Sequence, residues 1–262
     1  SVLPTYQQHY SIPESIGAAV DILPLREENG WLPDPEELRG LVRKAGGRVK
    51  IINNPTGSVM EEPLLLQLVE IAREAGAWLL CDEVYRGLCH QGDPYTASVA
   101  DLYEKGISTG SMSKTYSLAG LRLGWIAGPQ ELWQMLSRQR DYHIISVGRM
   151  DDLLSAVALE SKEAISRRNL AICREGGLEE FVAGQSHISY VKPKGGTTAF
   201  LKYDLPMESA ELCRRLQAET GVMLLPGSAL DREGYLRIGY CNDPAITKTG
   251  LEIFDQWLNR QG

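Results

Sequence analysis

Apolar and polar residues alternate along the first 150 residues in a pattern that predicts strands and helices in turn. The run VKIIN at 49–53 is short, β-branched and apolar, and it stops at an Asn-Pro-Thr-Gly turn signal. AWLLCD at 77–82 is a second strand of this kind. The segment between them predicts a helix whose apolar side chains recur at helical spacing: Leu64, Leu65, Leu68, Val69, Ala72 and Ala75. Strand, helix and strand together predict a crossover between parallel strands.

The pattern continues with strands GISTG and LRLGWIAG and an amphipathic helix at 129–142, and then it changes. After about residue 150, long helical stretches precede four short strand-like runs: HISYVKP, TTAFLKYD, VMLLPG and YLRIGY. We therefore predict an α/β fold with two domains. A three-layer α/β/α large domain with a mostly parallel sheet would occupy residues 1–150, and a smaller α+β domain residues 151–262.

Charge and cysteine usage narrow the classes of function. The chain has 34 acidic and 27 basic residues, which disfavours nucleic acid as a partner because phosphate backbones bind basic surfaces. Five scattered cysteines without a CxxC pair predict reduced thiols and a cytoplasmic protein, and four separated histidines predict no metal site. No apolar run reaches membrane-spanning length, and the first residues do not form a signal peptide.

Four polar residues lie at or after the carboxyl ends of predicted strands, where open α/β sheets bind ligands. Asn54 follows the first strand, Asp82 ends the second, Tyr85 comes three residues later, and Lys114 follows the strand at 106–110. Each has a simpler explanation: a turn residue, a helix cap, a packed aromatic and a solvated lysine. A single ligand would account for all four.

The side-chain chemistry of this set fits pyridoxal 5′-phosphate. A carboxylate holds a proton on a pyridine nitrogen, and an Asn and Tyr pair stabilises a phenolate oxygen. A lysine forms a Schiff base with an aldehyde and then acts as a general acid and base. Hydroxyl groups and an arginine bind a phosphate, and small residues around Lys114 let the backbone approach it.

Three motifs, NNPTG, CDEVY and SMSKTYSLAGLRLGW, occur in an order and spacing that closely resemble the class I/II aminotransferases of the aspartate aminotransferase superfamily, fold-type I pyridoxal-phosphate enzymes. The pattern Ser-x-Ser-Lys-x5-Gly-x-Arg-x-Gly within the third motif is highly specific. The likeness extends through essentially the whole chain, to LLPGSAL and YLRIGY near its end.

The resemblance implies a role for each matching residue around the cofactor ring. Lys114 would form the Schiff base and move the α-proton of the substrate, with Tyr85 beside it as a second catalytic residue. Asp82 would pair with the pyridine nitrogen. Asn54 and Tyr85 would bind the phenolic oxygen.

The resemblance also implies residues for the phosphate, the ring face and the substrate. Ser111 and Arg122 would hold the phosphate. Tyr6 would stack on the ring, unless it is a core residue, and Arg237 would bind the substrate α-carboxylate, unless it is a surface arginine. The segment at 193–201 resembles the lining of the substrate pocket.

The function implied is an aminotransferase that moves an amino group between an α-amino acid and a 2-oxo acid, working as a homodimer. Other pyridoxal-phosphate reactions keep the same residues, so a β-lyase, a decarboxylase or a cyclising synthase stays open, as does the sensor domain of a transcription regulator. The resemblance further implies that an N-terminal portion of the family fold is absent from these residues, including part of the phosphate site. We therefore expect the 262 residues alone to bind the cofactor weakly or not at all and to turn over poorly.

Overall fold

The computed structural model describes the backbone of residues 1–45, 48–52 and 56–261 and the side chains of 1–44 and 56–261. Within these residues the α-helices are α1 (Gln8–Ser15), α2 (Pro35–Ala45), α3 (Glu62–Glu74), α4 (Val99–Leu102), α5 (Gln130–His143), α6 (Arg149–Glu160), α7 (Lys162–Glu175), α8 (Leu178–Gly184), α9 (Ser209–Thr220) and α10 (Pro244–Leu258). The strands are β1 (Val2–Leu3), β2 (Leu23–Pro24), β3 (Arg48–Ile52), β4 (Trp78–Asp82), β5 (Gly106–Ser111), β6 (Gly124–Ala127), β7 (Ile188–Tyr190), β8 (Thr198–Tyr203), β9 (Leu225–Pro226) and β10 (Tyr235–Gly239).

The first sheet has the strand order β3-β4-β5-β6. Its first three strands are parallel and β6 is antiparallel to β5. Helix α3 connects β3 to β4, so the predicted crossover between parallel strands is confirmed. The register places Asp82 beside Thr109 and Ser111 beside Gly124, which brings the ends of β4 and β5 to one edge of the sheet.

The second sheet is antiparallel, with the order β7-β8-β10-β9. It packs with α7, α8, α9 and α10 around a second apolar core that includes Leu236 and Trp257. A first core surrounds α3 and β4, and it also takes in Phe200, Leu230 and Tyr235 from the later part of the chain. The mixed α/β class is thus confirmed, while the division of the chain at residue 150 stays a prediction.

The helices begin and pack for identifiable reasons. Asp34 accepts hydrogen bonds from the amides of Glu36 and Glu37 at the start of α2, and Asp243 does the same at the start of α10. Helix α3 buries most of the predicted apolar stripe. The structure differs from the prediction at two residues: Ile71, which was not predicted, is buried, and Ala75 is exposed.

The apolar edge surface, which we define as the exposed apolar side chains of β6, α5 and α6, differs from expectation. All four residues of β6 are exposed and α5 has no buried residue, so the amphipathic pattern of α5 does not pack against the described residues. The largest side chains of this surface are Trp125, Ile126, Trp133, Met135, Leu136, Tyr142, Met150, Leu153, Leu154, Val157 and Leu159. Apolar side chains exposed in this number are unusual for a monomeric protein, and none of the described residues covers them.

The prediction of five reduced cysteines is wrong for one pair. Cys173, in α7, and Cys241, just after β10, form a disulfide, and their Cα atoms lie 4.5 Å apart. The two residues are 68 positions apart in sequence, so only the packing of α7 beside the end of β10 brings them together. Cys81, Cys89 and Cys213 are free thiols. None of the described helices has the length and apolarity needed to span a bilayer.

Candidate active site

Asp82 is the last residue of β4, and its carboxylate is held by neighbours on one side. Its Oδ1 atom accepts hydrogen bonds from the backbone N–H of Val84, at 3.2 Å, and from the hydroxyl of Thr109, at 3.1 Å. Its Oδ2 atom lies 3.4 Å from Nε2 of His9 in α1. The Asp82 and His9 side chains are 19% and 13% exposed, so this contact is largely shielded from water. The carboxylate therefore has a fixed direction at the edge of the sheet.

Glu83, and not Asp82, binds the start of the next helix, which was the alternative role considered for Asp82. Glu83 Oε1 accepts hydrogen bonds from the Ser98 hydroxyl and the Val99 amide at the start of α4. Successive residues of an extended segment point to opposite sides, which separates the two carboxylates. Burial, with the charges of Glu83 and Asp82, raises the pKa of the Cys81 thiol and keeps it neutral.

Tyr6 lies near Asp82 through His9. The rings of Tyr6 and His9 meet edge to face with centroids 5.7 Å apart. Tyr6 is 47% exposed, which excludes the alternative that it is a core residue. Tyr6, His9 and Asp82 thus form a connected group, and the Tyr6 side chain at its end is exposed.

Tyr85 lies in the turn after β4, and this turn is fixed against the segment that carries Lys114. The Thr115 hydroxyl lies 2.9 Å from both the Val84 and the Arg86 carbonyl oxygens. Gly87 permits this approach, because a Cβ atom there would lie 2.7 Å from the Thr115 methyl group. The Tyr85 hydroxyl is buried and has no hydrogen-bond partner among the described residues. The segments that carry Lys114 and Tyr85 are therefore held against each other. The hydroxyl of Tyr85 is left without a partner among the described residues.

Lys114 lies in a loop closed by the pairing of β5 with β6. The loop is pinned by the Met112 amide, which donates to the Leu123 carbonyl at 3.0 Å. Lys114 is exposed, and its amine has no hydrogen bond or ion pair among the residues that the structure describes. A primary amine without a partner in this loop has the chemistry to form a Schiff base with an aldehyde.

Ser111 and Arg122 lie at the two ends of this loop. Ser111 ends β5, and its Oγ atom accepts the Ser113 amide at 3.3 Å, which leaves the hydroxyl hydrogen available. Arg122 has a left-handed backbone with φ 48°, and its Nη1 atom donates to the Ala119 carbonyl at 2.8 Å. The remaining guanidinium N–H groups are free to bind an anion.

Arg237 lies on the other sheet, in the middle of β10, opposite Phe200 and Leu225. It is half-buried, and its guanidinium forms no hydrogen bond or ion pair within the described part of the chain. The structure gives no direct contact between Arg237 and the Asp82 group. The two sheets do meet close by: Asp82, Tyr85, Gly196 and Thr198 line a common cavity of about 100 Å³.

Asn54 lies outside the described residues, so its predicted role stays a prediction. Sequence reasoning missed three residues that the structure assigns to the site: His9, Thr109 and Thr115. A weak signal existed for each, since His9 is three residues from Tyr6 and the two threonines lie within or beside the motif of Lys114. Their partners come from distant segments, and only the fold shows them.

Comparison with known proteins identifies the family of this chain. The family described as "Aminotransferase class I and II" matches residues 1–252. Capreomycidine synthase of Streptomyces vinaceus is 32% identical, over 97% of this chain and 67% of that protein. An aspartate aminotransferase of Pyrococcus horikoshii is 29% identical, over 83% of this chain and 58% of that protein. The chain therefore spans roughly three fifths to two thirds of the length of these relatives.

Solved structures show the same fold. A PLP-dependent aminotransferase from Streptococcus suis superposes with a TM-score of 0.95 at 41% identity, covering all of this chain and 70% of the other. An aspartate aminotransferase from Thermotoga maritima superposes with a TM-score of 0.85 at 21% identity, covering 98% of this chain and 68% of the other. At the lower identity the similarity concerns the fold alone.

The cofactor of this family is pyridoxal 5′-phosphate, and the described residues fit it. The test is the buried hydroxyl of Tyr85, which has no partner among the described residues and can bind a polar atom of a ligand. The unpaired amine of Lys114 and the fixed carboxylate of Asp82 lie on the segments beside it. An aldehyde, a phenolic oxygen and a ring nitrogen are the groups that this donor and acceptor set would bind.

Proposed function

Because the chain belongs to the class I and II aminotransferase family, we propose that it transfers an amino group between an α-amino acid and a 2-oxo acid, with Lys114 as the catalytic amine. The single observation that carries the proposal is that the segment of Lys114 is held against the turn of Tyr85, just after Asp82, by the hydrogen bonds of the Thr115 hydroxyl to the Val84 and Arg86 carbonyls. The proposal extends to the protein as a homodimer, as the resemblance implies.

The cofactor, when bound, supplies an aldehyde and an electron-withdrawing ring that the side chains of this chain lack. Asp82 would hold a proton on the ring nitrogen, which keeps the ring positively charged. Lys114 would anchor the cofactor and carry a proton to and from the substrate α-carbon. Tyr85 would donate its hydroxyl to the phenolic oxygen, and Tyr6 would cover one face of the ring.

Two arginines would each bind one anionic group, one on the cofactor and one on the substrate. Arg122, with Ser111, would bind the phosphate at the end of β5. Arg237 would bind the α-carboxylate of the amino acid through its planar pair of N–H groups. The substrates therefore belong to the α-amino acids and 2-oxo acids, and the side-chain preference is a separate question.

The similarity to a synthase favours a second candidate, a cyclising reaction on the same cofactor. Both candidates use Lys114 and Asp82. They differ in the product, since amino-group transfer releases a 2-oxo acid from the amino donor and places its amino group on the acceptor, whereas cyclisation does neither.

The experiment is product analysis with saturating cofactor, single amino acids and a 2-oxo acid acceptor. We expect the wild-type chain to release a new 2-oxo acid and Lys114→Ala to release none. Lys105→Ala is the matched control, because Lys105 lies next to the opposite end of β5 and donates to the Gly76 carbonyl at 2.9 Å. Consumption of an amino acid without a 2-oxo acid would favour the synthase reaction, and full activity in Lys114→Ala would overturn both candidates.

A further inference from the structure

Thr109 faces Asp82 across the boundary between β5 and β4. The two residues are paired in register, and the Thr109 hydroxyl donates to Asp82 Oδ1 at 3.1 Å. The Thr109 carbonyl accepts the Glu83 amide at 2.8 Å, so the backbone on both sides of this side-chain bond is also fixed. The pairing of these two adjacent strands thus fixes the Thr109 hydroxyl beside the Asp82 carboxylate.

The position of Thr109 is rigid for a further reason. Strand β5 is an interior strand, with β4 on one side and β6 on the other, and Thr109 lies opposite Ile126 of β6. A β-branched side chain in such a strand has few rotamers. The direction of the hydroxyl therefore does not depend on a flexible loop.

Thr109 and Val84 together fill one oxygen of the carboxylate. Each carboxylate oxygen has about two acceptor sites. Oδ1 of Asp82 accepts two hydrogen bonds, from Thr109 and Val84, whereas Oδ2 accepts none within the described residues and faces His9 at 3.4 Å. The two oxygens are therefore not equivalent, and only Oδ2 can receive a further N–H donor without losing a bond.

We propose that Thr109 is a positioning residue that saturates Oδ1 of Asp82 and so presents Oδ2 to the ring nitrogen of the cofactor. The inference rests on the proposed function and adds a residue to it. Without the hydroxyl, Oδ1 has a vacant acceptor site and the carboxylate can turn to share its oxygens between the competing donors.

Three variants test this. Thr109→Val keeps the shape of the side chain and removes the hydroxyl, and Thr109→Ser keeps the hydroxyl. Ser108→Ala is the matched control, because Ser108 precedes Thr109 on the same strand and its side chain points to the other face of the sheet. The measurements on the 262-residue chain are the dissociation constant of pyridoxal phosphate and the pH midpoint of the bound cofactor's absorbance.

We expect Thr109→Val to raise the dissociation constant about tenfold, because the turned carboxylate loses its hydrogen bond to the ring nitrogen and a bond to a charged group is worth this much at the low end of its range. The pH midpoint should move upward, because a carboxylate that has turned away holds the proton on the ring nitrogen less firmly and leaves the ring less positive. Thr109→Ser should restore both values, and Ser108→Ala should change neither.

The outcomes separate the two proposals. If wild-type chain binds the cofactor and Thr109→Val matches it in both readouts, the role of Thr109 is wrong while the proposed function stands. If Thr109→Ser behaves like Thr109→Val, or Ser108→Ala shows the same shift, the effect is general packing and the inference is overturned. If Lys114→Ala keeps the absorbance that the bound cofactor has in the wild-type chain, the proposed function fails and this inference with it.

Discussion

The Tyr85 hydroxyl provides a prediction in which stability and binding change in opposite directions. This hydroxyl is buried without a partner among the described residues. An unsatisfied buried polar group costs roughly 1–3 kcal/mol of folding free energy. Tyr85→Phe removes the group and keeps the ring, so the cofactor-free protein should become more stable by about 1 kcal/mol. The low end of the range applies because Tyr85 lines a cavity that can hold water.

The assay is urea denaturation of the cofactor-free protein, with Tyr203→Phe as the matched control. The Tyr203 hydroxyl lies 2.7 Å from the Met207 carbonyl and 3.0 Å from Oε1 of Glu233, so its removal should cost about 1–2 kcal/mol. In a parallel titration, Tyr85→Phe should weaken pyridoxal-phosphate binding about tenfold, the value of one lost hydrogen bond.

The free energy of unfolding of the cofactor-free protein should therefore increase in Tyr85→Phe and decrease in Tyr203→Phe. If Tyr85→Phe destabilises the cofactor-free protein as much as Tyr203→Phe does, the Tyr85 hydroxyl already has a partner, and the reasoning from the unpaired group is refuted. If the cofactor binds both variants as tightly as wild type, the assignment of Tyr85 to the cofactor site is refuted instead.

Three further predictions concern backbone strain, association and pH. Gly57→Ala should lower the free energy of unfolding by about 3 kcal/mol in thermal denaturation, and Gly17→Ala by only about 1 kcal/mol. Both glycines have a positive φ, but a Cβ atom at Gly57 would lie 2.6 Å from a neighbouring carbon, whereas Gly17 has open space around it. Equal losses would contradict this. Ile126→Lys, on the apolar edge surface, should reduce self-association in sedimentation, whereas Ile246→Lys, which is equally exposed elsewhere, should not. Burial alone would raise the pKa of Glu233, but the hydrogen bonds donated to it lower that pKa overall. The stability deficit of Glu233→Gln should therefore be present at neutral pH and shrink as the pH falls from about 4 through the lowered pKa.

Much of the site was predictable because its residues lie at strand ends. Asp82 and Ser111 close two predicted strands, and the parallel pairing of those strands is enough to place both at one edge of the sheet. Lys114 and Arg122 belong to one local loop, so their proximity also follows from a short stretch of sequence. Local pattern is sufficient where the contact is local or lies along a sheet.

The rest depends on packing between distant segments. His9 reaches Asp82 from α1, and Cys173 meets Cys241 across the second core, and neither pairing leaves a spacing signature. The periodicity of α5 correctly predicted a helix with an apolar face, but periodicity cannot say what covers that face, and no described residue does. Arg237 was placed on its strand, but its distance from the cofactor site depends on how the two sheets meet.

The central claim is that Lys114 is the amine that holds the cofactor, and covalent trapping tests it most directly. The protein is incubated with saturating pyridoxal phosphate, treated with borohydride, digested and mapped by mass spectrometry. Trapping captures a weakly bound cofactor as well as a tightly bound one, which suits a chain that spans roughly two thirds of its relatives' length. We predict a single modified peptide that contains Lys114 and no modification at the site in Lys114→Ala. Modification centred on another lysine, or scattered equally over several, would contradict the account.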